Sequence, residues 1–135
     1  MFSLAPNLIP DKLKIVTFSP KVIFSNASLL FNGRGSLEII NGEFDLSEIT
    51  SSNSQGNMFN NCFSLREVRF IQGSIKYSLS VARSSQLSDE SIQSILDGLA
   101  TVSSTQTLFL NSAVYAKLTE EQKQSATDKG WTITG

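Results

Sequence analysis

Three segments of this chain repeat one short pattern: LKIVTF (Leu13 to Phe18), LEIING (Leu37 to Gly42) and LREVRF (Leu65 to Phe70). Each opens on Leu and carries a β-branched residue three places on, at Val16, Ile40 and Val68. Two of them place Phe two further along, at Phe18 and Phe70, while Gly42 stands in that slot in the middle copy. The starts lie 24 residues apart (13 to 37) and then 28 (37 to 65). The flanks LFNGRGSLEII (Leu30 to Ile40) and MFNNCFSLREV (Met58 to Val68) align without gaps, and TQTLFLN (Thr105 to Asn111) reads as a fourth, weaker copy through Leu108 and Leu110. A spacing of this kind at a period in the twenties is how a leucine-rich repeat encodes one strand of a parallel sheet. Alternate positions of each strand point inward, and successive coils bury them against one another. An ordinary mixed domain whose strands share a pattern by chance is the competing reading.

The second half changes character. SSQLSDESIQSILDGLA predicts a helix with Ser88 as N-cap and Asp89 and Glu90 in the first turn, where the helix dipole favours them. Leu87 is placed to staple onto Ile92, and Ile92, Ile95, Leu96 and Leu99 form one apolar stripe. KLTEEQKQSATDKGW predicts a second helix, with a Thr119/Gln122 capping box and Gly130 as the left-handed exit. IKYSLSVA, TLFL and WTIT read as strands, with Tyr77, Leu79, Val81, Trp131 and Ile133 inward. The alternation of strand and helix suits parallel strands joined by crossovers, and it would extend the sheet and cap its end.

At 135 residues the chain is read as one domain, with repeat coils over 8–82 and a helical coil and cap over 83–135. Charged residues make up only 17%, and 22 Ser and 9 Asn supply the remaining polarity, a surface that fits extracellular or virion proteins. A net charge of −1 with scattered basic residues gives no electrostatic footprint for nucleic acid. The single cysteine excludes an internal disulfide, and the absence of histidine removes the commonest general base and zinc ligand together. No apolar run approaches the ~20 residues a bilayer span needs. The start MFSLAPNLIPDKLK has neither the basic leader nor the apolar core of a secretory signal. The expectation is therefore export by another route, or a segment of a longer product.

Candidate chemistry is sparse. Cys62 has no base beside it and falls at an inward position, where cysteine serves as a small hydrophobe. Asp89/Glu90 and Glu120/Glu121 are accounted for as helix N-terminal charges. Asp45 and Glu48 flank a loop without the spacing of a calcium loop. NGRG reads as a turn, and SEITSSNSQG (Ser47 to Gly56) as an inserted loop. What remains is a surface. If Leu13, Val16 and Phe18 point inward, Ile15 and Thr17 point outward, with equivalents Ile39 and Asn41, Glu67 and Arg69, Ser78 and Ser80, and Thr107 and Phe109. Exposed Ile15, Ile39 and Phe109 lying together would signal partner binding; loops covering them would not.

The segments MFNNCFSLREVRF and LFNGRGSLEII resemble the BspA-like leucine-rich repeats of bacterial surface and phage-associated proteins. The ending LSDESIQSILDGL…LTEEQKQSATDKGWTIT is similar to a tail that follows such repeats in proteins of gut-dwelling Firmicutes and their prophages. The resemblance covers roughly residues 8 to 134. It departs from the family pattern at NGRG, at Gly42 and in its irregular spacing. It implies an α/β solenoid with a mainly parallel sheet, irregular β-rich N-terminal coils and two C-terminal capping helices. It also implies a non-enzymatic recognition or adhesion module, with no cofactor and no metal, binding protein or glycan at a cell surface, outside the cell or on a virion. The alternative is a purely structural cap or spacer of a larger surface or phage tail protein.

Overall fold

The computed structural model describes residues 13–28, 30–55 and 57–135, so the expected start of the repeats at residue 8 lies outside the described residues. Strands β1 (Ile15–Ile23), β2 (Ile39–Asp45) and β3 (Glu67–Phe70) form one parallel sheet in the order β1-β2-β3. Strands β4 (Leu79–Val81), β5 (Gln106–Leu110) and β6 (Trp131–Thr134) form a second, in the order β4-β5-β6. Three α-helices lie among the described residues: α1 (Asp89–Gly98), α2 (Ser112–Tyr115) and α3 (Glu120–Asp128). The architecture is mixed α/β, with every strand pair parallel and no closed barrel among the described residues.

The leucine spacing sets the first sheet's register. Ile15 pairs with Ile39, and Ile39 with Glu67, reproducing the offsets of 24 and 28 residues. Just before each strand the chain is tied to its predecessor, Glu38 N–H donating to the Lys14 carbonyl at 2.8 Å and Arg66 N–H to the Glu38 carbonyl at 2.9 Å. Ser88 N–H continues the series onto the Arg66 carbonyl at 2.9 Å. The fourth member of the Leu13, Leu37, Leu65 row is therefore Leu87, which is buried like Leu37 and Leu65. TQTLFLN is not that fourth copy. Its Leu108 and Leu110 pair with Leu79 and Val81 in the second sheet, so the later strands form their own sheet instead of extending the first.

Behind the first sheet the core is a column of phenylalanine rings. Phe44 lies 5.6 to 6.2 Å, centroid to centroid, from Phe18, Phe24, Phe31, Phe59 and Phe70. Phe44, not Gly42, is thus the partner of Phe70. The register slips between Ile39 and Glu43 in β2 and between Thr17 and Lys21 in β1, because each strand runs two residues longer than its neighbour there. Pro20, which has no N–H for a ladder, sits in the β1 slip. In β2, Gly42 adopts φ +101°, and a Cβ there would collide with the Phe18 carbonyl. SEITSSNSQG is likewise no mere insertion. Ile49 and Gln55 are buried, Ala27 N–H donates to the Ser54 carbonyl, and Gln55 Nε2 donates to the Tyr77 and Ser78 carbonyls at 2.6 and 3.2 Å.

Strand β3 would leave an edge of unpaired backbone groups, and α1 covers it with hydroxyls. Val68 N–H donates to Ser91 Oγ at 3.0 Å and Phe70 N–H to Ser94 Oγ at 2.9 Å. Ser91 Oγ in turn donates to the Arg66 carbonyl at 2.9 Å. A helix thus stands where a fourth strand would otherwise pair, and the buried backbone donors stay satisfied. Both long helices begin as their caps dictate: Ser88 Oγ accepts from Ser91 N–H, and Thr119 with Gln122 forms a reciprocal capping box. Gly130 leaves α3 at φ +93°. The short α2, absent from the sequence reading, starts at Asn111, whose side chain accepts from Ala113 N–H.

Candidate recognition faces

The ten outward positions expected to form one row are divided between the two sheets. Ile15, Thr17, Ile39, Asn41, Glu67 and Arg69 belong to the first; Phe109, Thr107 and Ser80, with Ser78 just ahead of β4, belong to the second. Within the first, Ile15 is 55% exposed beside the half-buried Ile39, and Thr17 pairs with Asn41. Asn41 and Arg69 are not equivalents, because the slip in β2 aligns Arg69 with Glu43. Phe109 is 42% exposed but lies in the other sheet, so Ile15, Ile39 and Phe109 do not make one patch within a single sheet.

The first face is charged and internally paired. Glu38 lies 3.8 Å from Lys14 and 3.5 Å from Arg66, linking the chain ahead of all three strands. Arg69 holds Glu67 at 3.0 Å and also donates to Ser91 Oγ at 2.7 Å, while Asn41 Nδ2 donates to Thr17 Oγ1 at 3.4 Å. Exposed pairs of this kind each contribute ~0–1 kcal/mol, so they shape the face more than they hold it. Lys14, Glu38 and Arg66 were missed by strand alternation because they precede the strands; their shared place directly after the leucine row was the available signal.

The second face carries no ionisable side chain at its outward positions, which are Ser78, Ser80, Thr107, Phe109, Thr132 and Thr134. Ser80 pairs with Phe109 and Phe109 with Thr134, while Thr107 pairs with Thr132. Thr132 and Thr134 were missed, although the alternation in WTIT already turns them away from Trp131.

Cys62 is fully buried, and its Sγ donates to the Phe31 carbonyl at 3.2 Å. Desolvation pushes its thiol up to about 12, outweighing the Arg34 backbone hydrogen bond and the Arg34 charge that act in the opposite sense. The thiolate a nucleophile needs is therefore scarce at neutral pH. Arg34 itself, expected in an open turn, is only 1% exposed. It occupies the slot of Cys62 in the gapless repeat alignment, and that slot faces the interior.

Asp89 makes a 2.9 Å ion pair with Lys117, and Asp45 accepts from the Ser47 hydroxyl and N–H at 2.6 and 3.0 Å. That hydroxyl bond, outweighing partial burial and helped by the Ser47 N–H and by Lys21, lowers the Asp45 carboxyl below its ordinary value. A groove of about 410 Å³ between the first sheet and α1 is lined by Glu43, Arg69, Glu90 and Asp97 among others. Among the described residues, no group of three or more His, Cys, Asp or Glu is placed to hold a metal ion, and no helix is long and apolar enough to cross a membrane. No protein-family model, no curated protein and no solved structure matches this chain.

Proposed function

We propose that the chain is a BspA-like leucine-rich-repeat solenoid acting as a non-catalytic recognition or adhesion module, at a cell surface, outside the cell or on a virion. It binds protein or glycan through its outward sheet residues. The observation that carries this reading is the register of Ile15 with Ile39 and of Thr17 with Asn41, which sets out side chains on rigid strands beside an exposed apolar residue. Strands fix the contact geometry before a partner arrives, which reduces the ordering cost of binding.

A structural cap or spacer in a larger surface or tail assembly is the second reading. It is favoured by the Lys14–Glu38–Arg66 and Arg69–Glu67 pairs, which satisfy much of the first face internally. An array of cell-surface proteins and glycans probed with the native chain separates the two. The recognition reading expects ligands that the triple variant Ile15→Glu/Ile39→Glu/Phe109→Ala no longer captures at unchanged melting temperature. Capture of nothing, or equal capture by both chains, favours the spacer.

A further inference from the structure

We propose that the outward face of the second sheet is a platform for an uncharged glycan, with Phe109 as its stacking anchor; this rests on the recognition reading above. Leu79, Val81, Leu108 and Leu110 are buried, so the alternate positions Ser80 and Phe109 must face away from the core. Phe109 is 42% exposed and is flanked in register by Ser80 on one side and Thr134 on the other. Two residues earlier on the same face, Thr107 lies beside Thr132. The face therefore presents one aromatic ring in a field of hydroxyls, on strands held by main-chain ladders.

That chemistry fits one ligand class better than the others. A pyranose offers a patch of C–H groups on one face and hydroxyls around its rim. The aromatic face carries negative quadrupole charge that attracts such C–H groups, and each Ser or Thr hydroxyl can donate and accept. The hydroxyls of Thr107, Thr132 and Thr134 make no hydrogen bond among the described residues, so they keep that capacity for a ligand. Ser78 is already committed, donating to Gln106 Oε1 and accepting from Thr107 N–H, and acts as a positioning group.

Charge argues the same way. The first face carries Lys14, Glu38, Glu67 and Arg69, whereas none of the six outward positions here is ionisable, matching a ligand without charge. A nucleic acid would need cations for its phosphates. A protein partner would need a desolvated cluster of aromatic and Arg anchors, not a single ring. Contact through one ring and a few hydroxyls places the single-site Kd on the order of 1 mM.

Affinity electrophoresis tests this, with the full chain run through native gels containing mannan, galactomannan, mixed-linkage β-glucan or dextran, and polygalacturonate as the anionic comparison. The proposal expects at least one neutral polymer to retard the native chain by twofold or more, and raised salt to leave the retardation in place. Phe109→Ala abolishes it and Phe109→Tyr restores it; both variants are surface changes, checked by an unchanged melting temperature. Retardation by none of the neutral polymers, by polygalacturonate alone, or equally for Phe109→Ala would overturn the proposal. Retardation lost in Ile15→Glu/Ile39→Glu but kept in Phe109→Ala would also overturn it, and would leave the recognition reading standing on the first face.

Discussion

The two parallel sheets solve the same packing problem in different ways. In the second, Leu79 meets Leu108 and Val81 meets Leu110 at one constant offset of 29 residues, and β6 follows β5 at 25 without a slip. In the first, both strand pairs slip by two residues, and the interior is filled by phenylalanines meeting mostly edge to face or tilted. The leucine ladder keeps one offset along each strand pair. A column of rings tolerates an offset that changes within a pair, because each ring can tilt to meet neighbours at several heights. The irregular half also carries the charged outward face, and the regular half the uncharged one.

If the rings carry the first half, Phe44→Ala should be the most damaging single truncation, at ~3–5 kcal/mol. Leu108→Ala in the regular sheet should cost ~2–5 kcal/mol, toward the lower end because a leucine has no ring–ring contacts to lose. Urea unfolding of both variants measures the difference; a larger loss at Leu108 would break the comparison.

A smaller effect is expected where the first sheet ends. Ser91→Ala removes the acceptor of Val68 N–H and the donor to the Arg66 carbonyl, for ~1–3 kcal/mol. Hydrogen exchange at the Val68 amide reads this directly. Protection there should fall by more than at Leu108, whose strand is paired on both sides.

The smallest effect belongs to Asp45, whose carboxyl is held below its ordinary value chiefly by the Ser47 hydroxyl. A depressed folded value contributes stability that is fully present above the unfolded value of ~3.9 and is lost as pH falls through the folded one. Asp45→Ala should therefore cost ~0.5–1.5 kcal/mol at neutral pH, with the difference from the native chain shrinking in acid. Denaturation at neutral pH and at about pH 3 checks the sign.

The leucine row was legible in the sequence because Leu37 and Leu65, both buried, stand three places ahead of the buried β-branched strand residues Ile40 and Val68. The starts of α1 and α3 were legible because Ser88 and Thr119 are N-cap residue types followed by acidic first turns. Other features lacked a local signal. Whether Gly42 or Phe44 meets Phe70 depends on the two extra residues of β2, which Gly42 permits but does not specify. Nothing local in DESIQSIL shows that the hydroxyls of Ser91 and Ser94 serve the edge of β3. NGRG read only as a turn because nothing nearby in sequence shows that the slot of Arg34 is closed. The outward row was legible residue by residue, but its division between two sheets depends on how β4 leaves β3. The Ile75–Leu99 bridge and the Gln55 contacts decide that, and none of them follows from alternation.

The inward row, Cys62 included, is core, which under the proposed reading leaves recognition to the outward residues. Thiol labelling of Cys62 with a fast reagent, followed across a denaturant series, tests it most directly. The native chain should label negligibly, at a rate that rises in step with global unfolding. Rapid labelling in native buffer, independent of denaturant, would contradict it.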